Sequence, residues 1–160
     1  MNEINEFVAN RLWEIITSED NVEKKIQLLI EAVSEFFRVD KCSLMVEKDG
    51  ILKIVASVGI ARKVIQDAQV KLGEGISGMA VKERKAIFIR KVNVSNQREL
   101  WSDYKTDNFI SYPVEYKGNI IGVLNLTDKR DDRSFSEKDI ERIEPIVRRI
   151  GYVLKDLIKV

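Results

Sequence analysis

Two β-patterned segments near the end of the chain constrain the fold most. Residues 109–116 and 119–127 are rich in Val, Ile, Leu, Phe and Tyr and are joined at Lys117-Gly118-Asn119. So short a connection leaves no room for a crossover, so the pair reads as an antiparallel hairpin. A second period-two stretch, residues 41–47, sets Cys42, Leu44 and Val46 on one face and Ser43 and Met45 on the other. Asp49-Gly50 is a tight-turn signal, and residues 52–58 follow as the return strand. Residues 86–90 add a short strand. Two hairpins commit the chain to an antiparallel sheet.

Both ends of the chain are helical in pattern. Ile4, Phe7, Val8, Leu12, Ile15 and Ile16 form one stripe along a helix over residues 2–16. A polar break follows, in which Ser18 or Asp20 is expected to cap the next helix. That helix carries Val22, Ile26, Leu29, Ile30, Val33 and Phe37 on one stripe. The last helix is expected to start at Ser136 as N-cap, with Asp139 in capping-box position, and to kink at Pro145. Amphipathic helices from both ends must cover one face of the sheet. Between the hairpins lie a short helix within 61–69, the glycine-rich run Leu72–Gly78, and a helix from about Ile76 to Glu83. The polar stretch 92–107, with Trp101 and Tyr104, is expected to be a functional loop. The fold class is therefore α+β.

The chain has 160 residues, which suits one domain. It has no histidine, which removes Ser-His-Asp and Cys-His catalysis and histidine-ligated metals. A single cysteine, Cys42, excludes an intramolecular disulfide and any CxxC metal pair, and reads most simply as a small core residue. The cysteine usage and the absence of a signal-peptide pattern point to the cytoplasm, and no apolar run reaches membrane-spanning length. Net charge is +1, divided as −3 over residues 1–80 and +4 over 81–160, so neither half has the bias of a nucleic-acid binder. Lys82, Arg84, Lys85, Arg90 and Lys91 form a local basic run, read either as a solvated face or as a contact for an anion or a following domain.

The order and spacing of Gly73-Glu-Gly-Ile-Ser-Gly78, Ala86-Ile-Phe-Ile-Arg90, Phe109-Ile-Ser-Tyr-Pro-Val114, Gly122-Val-Leu-Asn-Leu-Thr-Asp-Lys129 and Phe135-Ser-Glu-Lys-Asp139 resemble a GAF domain. The resemblance runs from about residue 18 to 159. It implies a central antiparallel sheet of five to six strands, terminal helices on one face, and a lid over a small-molecule pocket on the other. It divides the chain into an N-terminal dimerisation or linker helix, 1–17, and a GAF domain, 18–160, ending in a signalling helix, 136–160. The glycine-rich segment lacks the Lys-Ser/Thr of a phosphate loop and follows no strand. It reads as a lid hinge or as residues that merely cap and pack the following helix.

By position, the resemblance to cyclic-nucleotide-binding GAF domains implies ligand contacts at Ser43, Val58, Gly59, Ile76, Ser77, Trp101, Tyr104, Lys105, Asn108 and Asn125, and alternation adds Met45 beside Ser43. Alternation supports Ser43, Met45 and Asn125, which lie opposite the apolar face of their strands. A polar residue on such a strand needs a partner if buried, whether a ligand, a backbone group or water. The nucleotide class carries an Asn-Lys-Phe-Asp-Glu signature. The matching positions here are Asp128, Lys129, Phe135, Asp139 and Ile140, so cyclic-nucleotide binding is only weakly supported, while a Lys129–Asp139 ion pair remains available.

The function expected is a sensory, non-enzymatic module that binds a small ligand and controls an attached effector. A bacterial-type transcription activator is preferred over a diguanylate cyclase or a histidine kinase, by analogy of domain layout. The sequence leaves the cofactor unknown. An enzyme on the same fold, such as a free-methionine-sulfoxide reductase, is disfavoured by the single cysteine, and a ligand-free dimerisation scaffold is the third reading. In the last helix Ile143, Val147, Ile150, Leu154 and Leu157 form one seam and Ile146, Ile150, Val153, Leu157 and Val160 a second. One seam is expected to cover the sheet and the other to build a parallel homodimer with the first helix, beside Trp13.

Overall fold

The computed structural model describes residues 2–89, 108–130 and 134–158. Its strands are β1 (Val39–Lys48), β2 (Ile51–Val58), β3 (Gln69–Lys71), β4 (Ile87–Ile89), β5 (Phe109–Tyr116) and β6 (Asn119–Lys129). They form one sheet in the order β3-β2-β1-β6-β5-β4, antiparallel throughout. The two hairpins therefore meet at the centre of the sheet, β1 against β6. Each hairpin turn has positive φ at both central residues: Asp49 and Gly50 in the first, Lys117 and Gly118 in the second. That is the turn whose twist matches the flanking strands. A bulge between Leu44 and Met45 leaves Val55 unopposed on β2, so the strand bends there. The three-residue β3 was not anticipated, because so short a segment shows no period.

Helix α1 is made of Glu3–Glu6, a wider π-helical stretch Phe7–Leu12, and Trp13–Ile16. Helix α2 is Val22–Phe37. Its cap is Asn21, not Ser18 or Asp20: Asn21 is extended (φ −68, ψ 167) and accepts from the Lys24 N–H at 2.9 Å. Ser18 instead closes the end of α1 by donating to the Ile15 carbonyl at 2.8 Å. Helices α3 (Arg62–Asp67) and α4 (Gly75–Glu83) follow, and α5 (Glu137–Ile158) ends the described chain. The capping box of α5 is formed: the Ser136 N–H donates to Asp139 at 2.9 Å and the Asp139 N–H to Ser136 Oγ at 3.1 Å. The helix runs on through Pro145 without interruption.

Helices α1, α2 and α5 cover one face of the sheet. Cys42, Leu44, Leu124 and Leu126 from the strands pack there with Leu29, Val33, Ile143 and Ile150 from the helices. The stripe of α1 closes the same core, with Leu12, Ile15 and Ile16 buried. This corrects the expectation of a spare seam on the last helix. Ile146 and Val153 are buried within one chain, 0% and 4% exposed, because α5 lies between β5 on one side and α1 and α2 on the other. Two seams have two sets of partners inside the monomer. The large hydrophobic side chains that these helices leave exposed are Trp13 and Tyr152. Residue 160 lies outside the described residues.

A smaller core lies on the opposite face, where Met45, Leu52 and Val123 of the sheet meet Ala80 and Val81 of α4. This second core anchors α4 beside the cavity.

Candidate functional site

A cavity of about 540 Å³ opens between the outer sheet face and the segment from Gly59 to Ser77. The bulge-bent β2, helix α3 and the start of α4 form its walls, and β1 and β6 form its floor. Of the residues expected to bind ligand, Ser43, Met45, Gly59, Ile76, Ser77 and Asn125 line it. Two do not. Val58 stands directly opposite Cys42 in the β1–β2 register and so shares its face, packing against the helix-side core. Asn108 is buried just before β5 and is not among the described lining residues, and its carbonyl accepts from Thr127 Oγ1 at 2.9 Å. Trp101, Tyr104 and Lys105 fall outside the described residues, as do Arg90 and Lys91 of the basic run.

The sequence reading missed Lys41, Ile54, Ile60, Val64, Val70 and Phe109, which also line the cavity. Phe109 was findable, since it is two residues before Ser111 and so shares its face. Ile54 was hidden by the bulge, which shifts the alternation of β2 against β1.

The floor is polar and ordered. Ser43, Asn125 and Ser111 stand in register across β1, β6 and β5. Asn125 Oδ1 accepts from Ser111 Oγ at 2.7 Å and from Ser77 Oγ at 2.9 Å, and its Nδ2 donates to Ser43 Oγ at 3.2 Å. The Ser77 bond ties α4 to the sheet floor. Behind α4, Gly78 packs so closely on β3 that a Cβ there would lie 2.4 Å from the Lys71 carbonyl oxygen. The glycine-rich segment therefore has a packing role at Gly78.

Two ion pairs flank the floor. Lys41 lies 3.4 Å from Asp128, whose side chain is fully buried. Lys129 lies 3.2 Å from Asp139 and donates to the Phe37 carbonyl at 2.8 Å, so it joins the end of β6 to α2 and α5. On the described part of the basic run, Lys82, Arg84 and Lys85 are exposed, and Arg84 donates to the Gly118 carbonyl at 2.8 Å.

Cys42 points away from the cavity, into the helix-side core, and is 1% exposed. Burial pushes its thiol pKa well above the ordinary range, so the reactive thiolate is suppressed. A thiol-reactive dye is expected to leave the native protein unlabelled and to label one equivalent after denaturation. Prompt labelling of the native protein would contradict this placement.

The sheet order, the helices on one face and the walled cavity on the other define an α+β domain with a pocket on its outer sheet face. The chain belongs to the GAF domain family, whose profile matches residues 21–154. Among solved structures it is similar to the GAF domain of a phosphoenolpyruvate-protein phosphotransferase from Acinetobacter, with TM-score 0.84, 17% identity and coverage of 99% of this chain and 97% of that one. It is similar to the A. aeolicus nlh2 GAF domain in an inactive state, with TM-score 0.75, 20% identity and coverage of 96% and 97%. It is also similar to a type II free methionine-R-sulfoxide reductase from Thermoplasma acidophilum, with TM-score 0.69, 22% identity and coverage of 84% and 93%. At these identities the likeness is one of fold. No curated protein sequence matches the chain. No helix among the described residues is long and apolar enough to cross a membrane.

Proposed function

We propose that this GAF domain is a non-catalytic sensor whose cavity holds a small ligand and whose occupancy regulates an attached effector, of the transcription-activator kind. The observation that carries the reading is the cavity of about 540 Å³ with a buried, hydrogen-bonded polar floor and apolar walls. That combination is typical of small-molecule sites, where a few fixed polar groups orient an otherwise apolar occupant. The fold also serves reductases, so fold alone does not decide between sensing and catalysis. The side chains do favour sensing: the chain has no histidine, and its one cysteine is buried on the other face of the sheet.

A route from the cavity to α5 needs no spare helical seam. Ser77 and Asn125 join α4 to β6, β6 pairs with β5, and α5 packs on β5. A ligand that moves α4 relative to the floor shifts the platform under α5. It signals only as far as it binds two arrangements with different affinity.

Native mass spectrometry of the purified domain tests the reading. The expected spectrum contains a small-molecule adduct that is lost in Ile54→Trp, which fills the cavity from β2. A bare mass for both proteins, with no small molecule retained, would count against a ligand-holding site.

A further inference from the structure

Resting on the reading of the cavity as a ligand site, we infer that its occupant is not an anion, is largely apolar and presents a hydrogen-bond acceptor, a carbonyl oxygen or ring nitrogen, to Asn125 and Ser43. Asn125 Oδ1 already accepts from both Ser111 and Ser77, so both of its lone pairs are in use. Reversing the amide would leave the Ser111 hydroxyl, which is 0% exposed, as a donor without an acceptor. The buried serine thus fixes which way the amide points.

Asn125 Nδ2 spends one of its two hydrogens on Ser43 Oγ, and the second remains. Ser43 accepts that bond, and its own hydroxyl hydrogen remains. Both remaining groups are donors on side chains that are 5% and 4% exposed and that line the cavity. An occupant with an acceptor satisfies them. One without leaves buried donors unpaired, which is the larger source of discrimination.

Charge and shape narrow the class further. Lys41 is the one cation among the described lining residues, and it stands 3.4 Å from the buried Asp128 carboxylate. Glu74 adds an acid to the lining. No uncompensated positive charge on these residues is available to draw an anion out of water. The walls formed by Met45, Ile54, Ile60, Val64, Val70 and Phe109 suit a flat or compact hydrocarbon body.

Three bicyclic probes of one size separate the possibilities: quinoline with a ring acceptor, naphthalene with none, and 1-naphthoate with a charge. The readouts are the Met45 methyl resonance and the Asn125 side-chain amide resonance of isotope-labelled protein at neutral pH. Quinoline is expected to bind about threefold to tenfold more tightly than either other probe, the worth of one or two neutral hydrogen bonds, and to shift the Asn125 amide. Ser43→Ala is expected to narrow the preference for quinoline over naphthalene. Equal binding of naphthalene and quinoline would overturn the donor-floor assignment and leave the cavity reading standing. Preference for 1-naphthoate would overturn the exclusion of anions. No shift at Met45 with any probe would overturn the cavity reading itself.

Discussion

Ile146→Glu is expected to unfold the domain. Ile146 is 0% exposed and sits among α1, α2 and the sheet in the main core. A carboxylate there has no described cation to meet within the core, and a buried unpaired charge costs several kcal/mol even after relaxation. A domain's whole stability is about 5–15 kcal/mol, so one such substitution consumes most of it. Ile146→Val, which removes one methylene, should cost only about 1 kcal/mol and serves as the control. Urea denaturation followed by circular dichroism decides the matter. A Glu variant with the parent's midpoint would mean that Ile146 faces outward, as a seam reserved for a second copy would require.

Gly151→Ala is expected to destabilise the domain although it replaces the poorest ordinary helix former with the best. Propensity alone would gain about 1 kcal/mol. Geometry opposes it: a Cβ at Gly151 would lie 2.5 Å from the Glu115 carbonyl oxygen of β5, a backbone atom that cannot swing aside. Either α5 lifts from the sheet or β5 bends, and overpacking of this kind costs typically about 1–3 kcal/mol. The net effect is destabilising, and Gly151→Val, with more bulk at the same contact, should be worse. Thermal unfolding of the two variants checks the order. A raised melting temperature for Gly151→Ala would show that α5 does not rest on β5 at this point. Since α5 is the element proposed to carry the signal, the same variant would also alter its seat.

Much of this architecture was legible in the sequence because its signals are local. The two I′ turns at Asp49-Gly50 and Lys117-Gly118 declare the hairpins, and alternation then assigns Ser43, Met45 and Asn125 to the face away from the helices. The capping box at Ser136 and Asp139 fixed the start of α5. What was not legible depends on events far apart in the chain. The bulge opposite Leu44 and Met45 is a property of a strand pair, so Ile54 was missed. The two seams of α5 looked like one too many because periodicity shows that a stripe exists, not which element covers it. Here α1 and α2 cover the second one, which leaves only Trp13 and Tyr152 as large exposed apolar side chains on these helices. The Asn125 network was visible only as a polar residue on an apolar strand. Its three serine partners come from β1, α4 and β5, and only the fold brings them together.

The central claim is that the cavity on the outer sheet face is where this domain meets a small molecule. Methyl spectra of the isotope-labelled protein, titrated with a fractionated metabolite extract, test it most directly. The expected result is a set of shifts at Met45, Ile54 and Ile76, which line the cavity, with Leu44, Ile143 and Ile150 of the helix-side core unmoved. Shifts confined to Val8 and its neighbours beside Trp13 and Pro145, with the cavity methyls unchanged, would contradict the claim and place recognition on the helical surface instead.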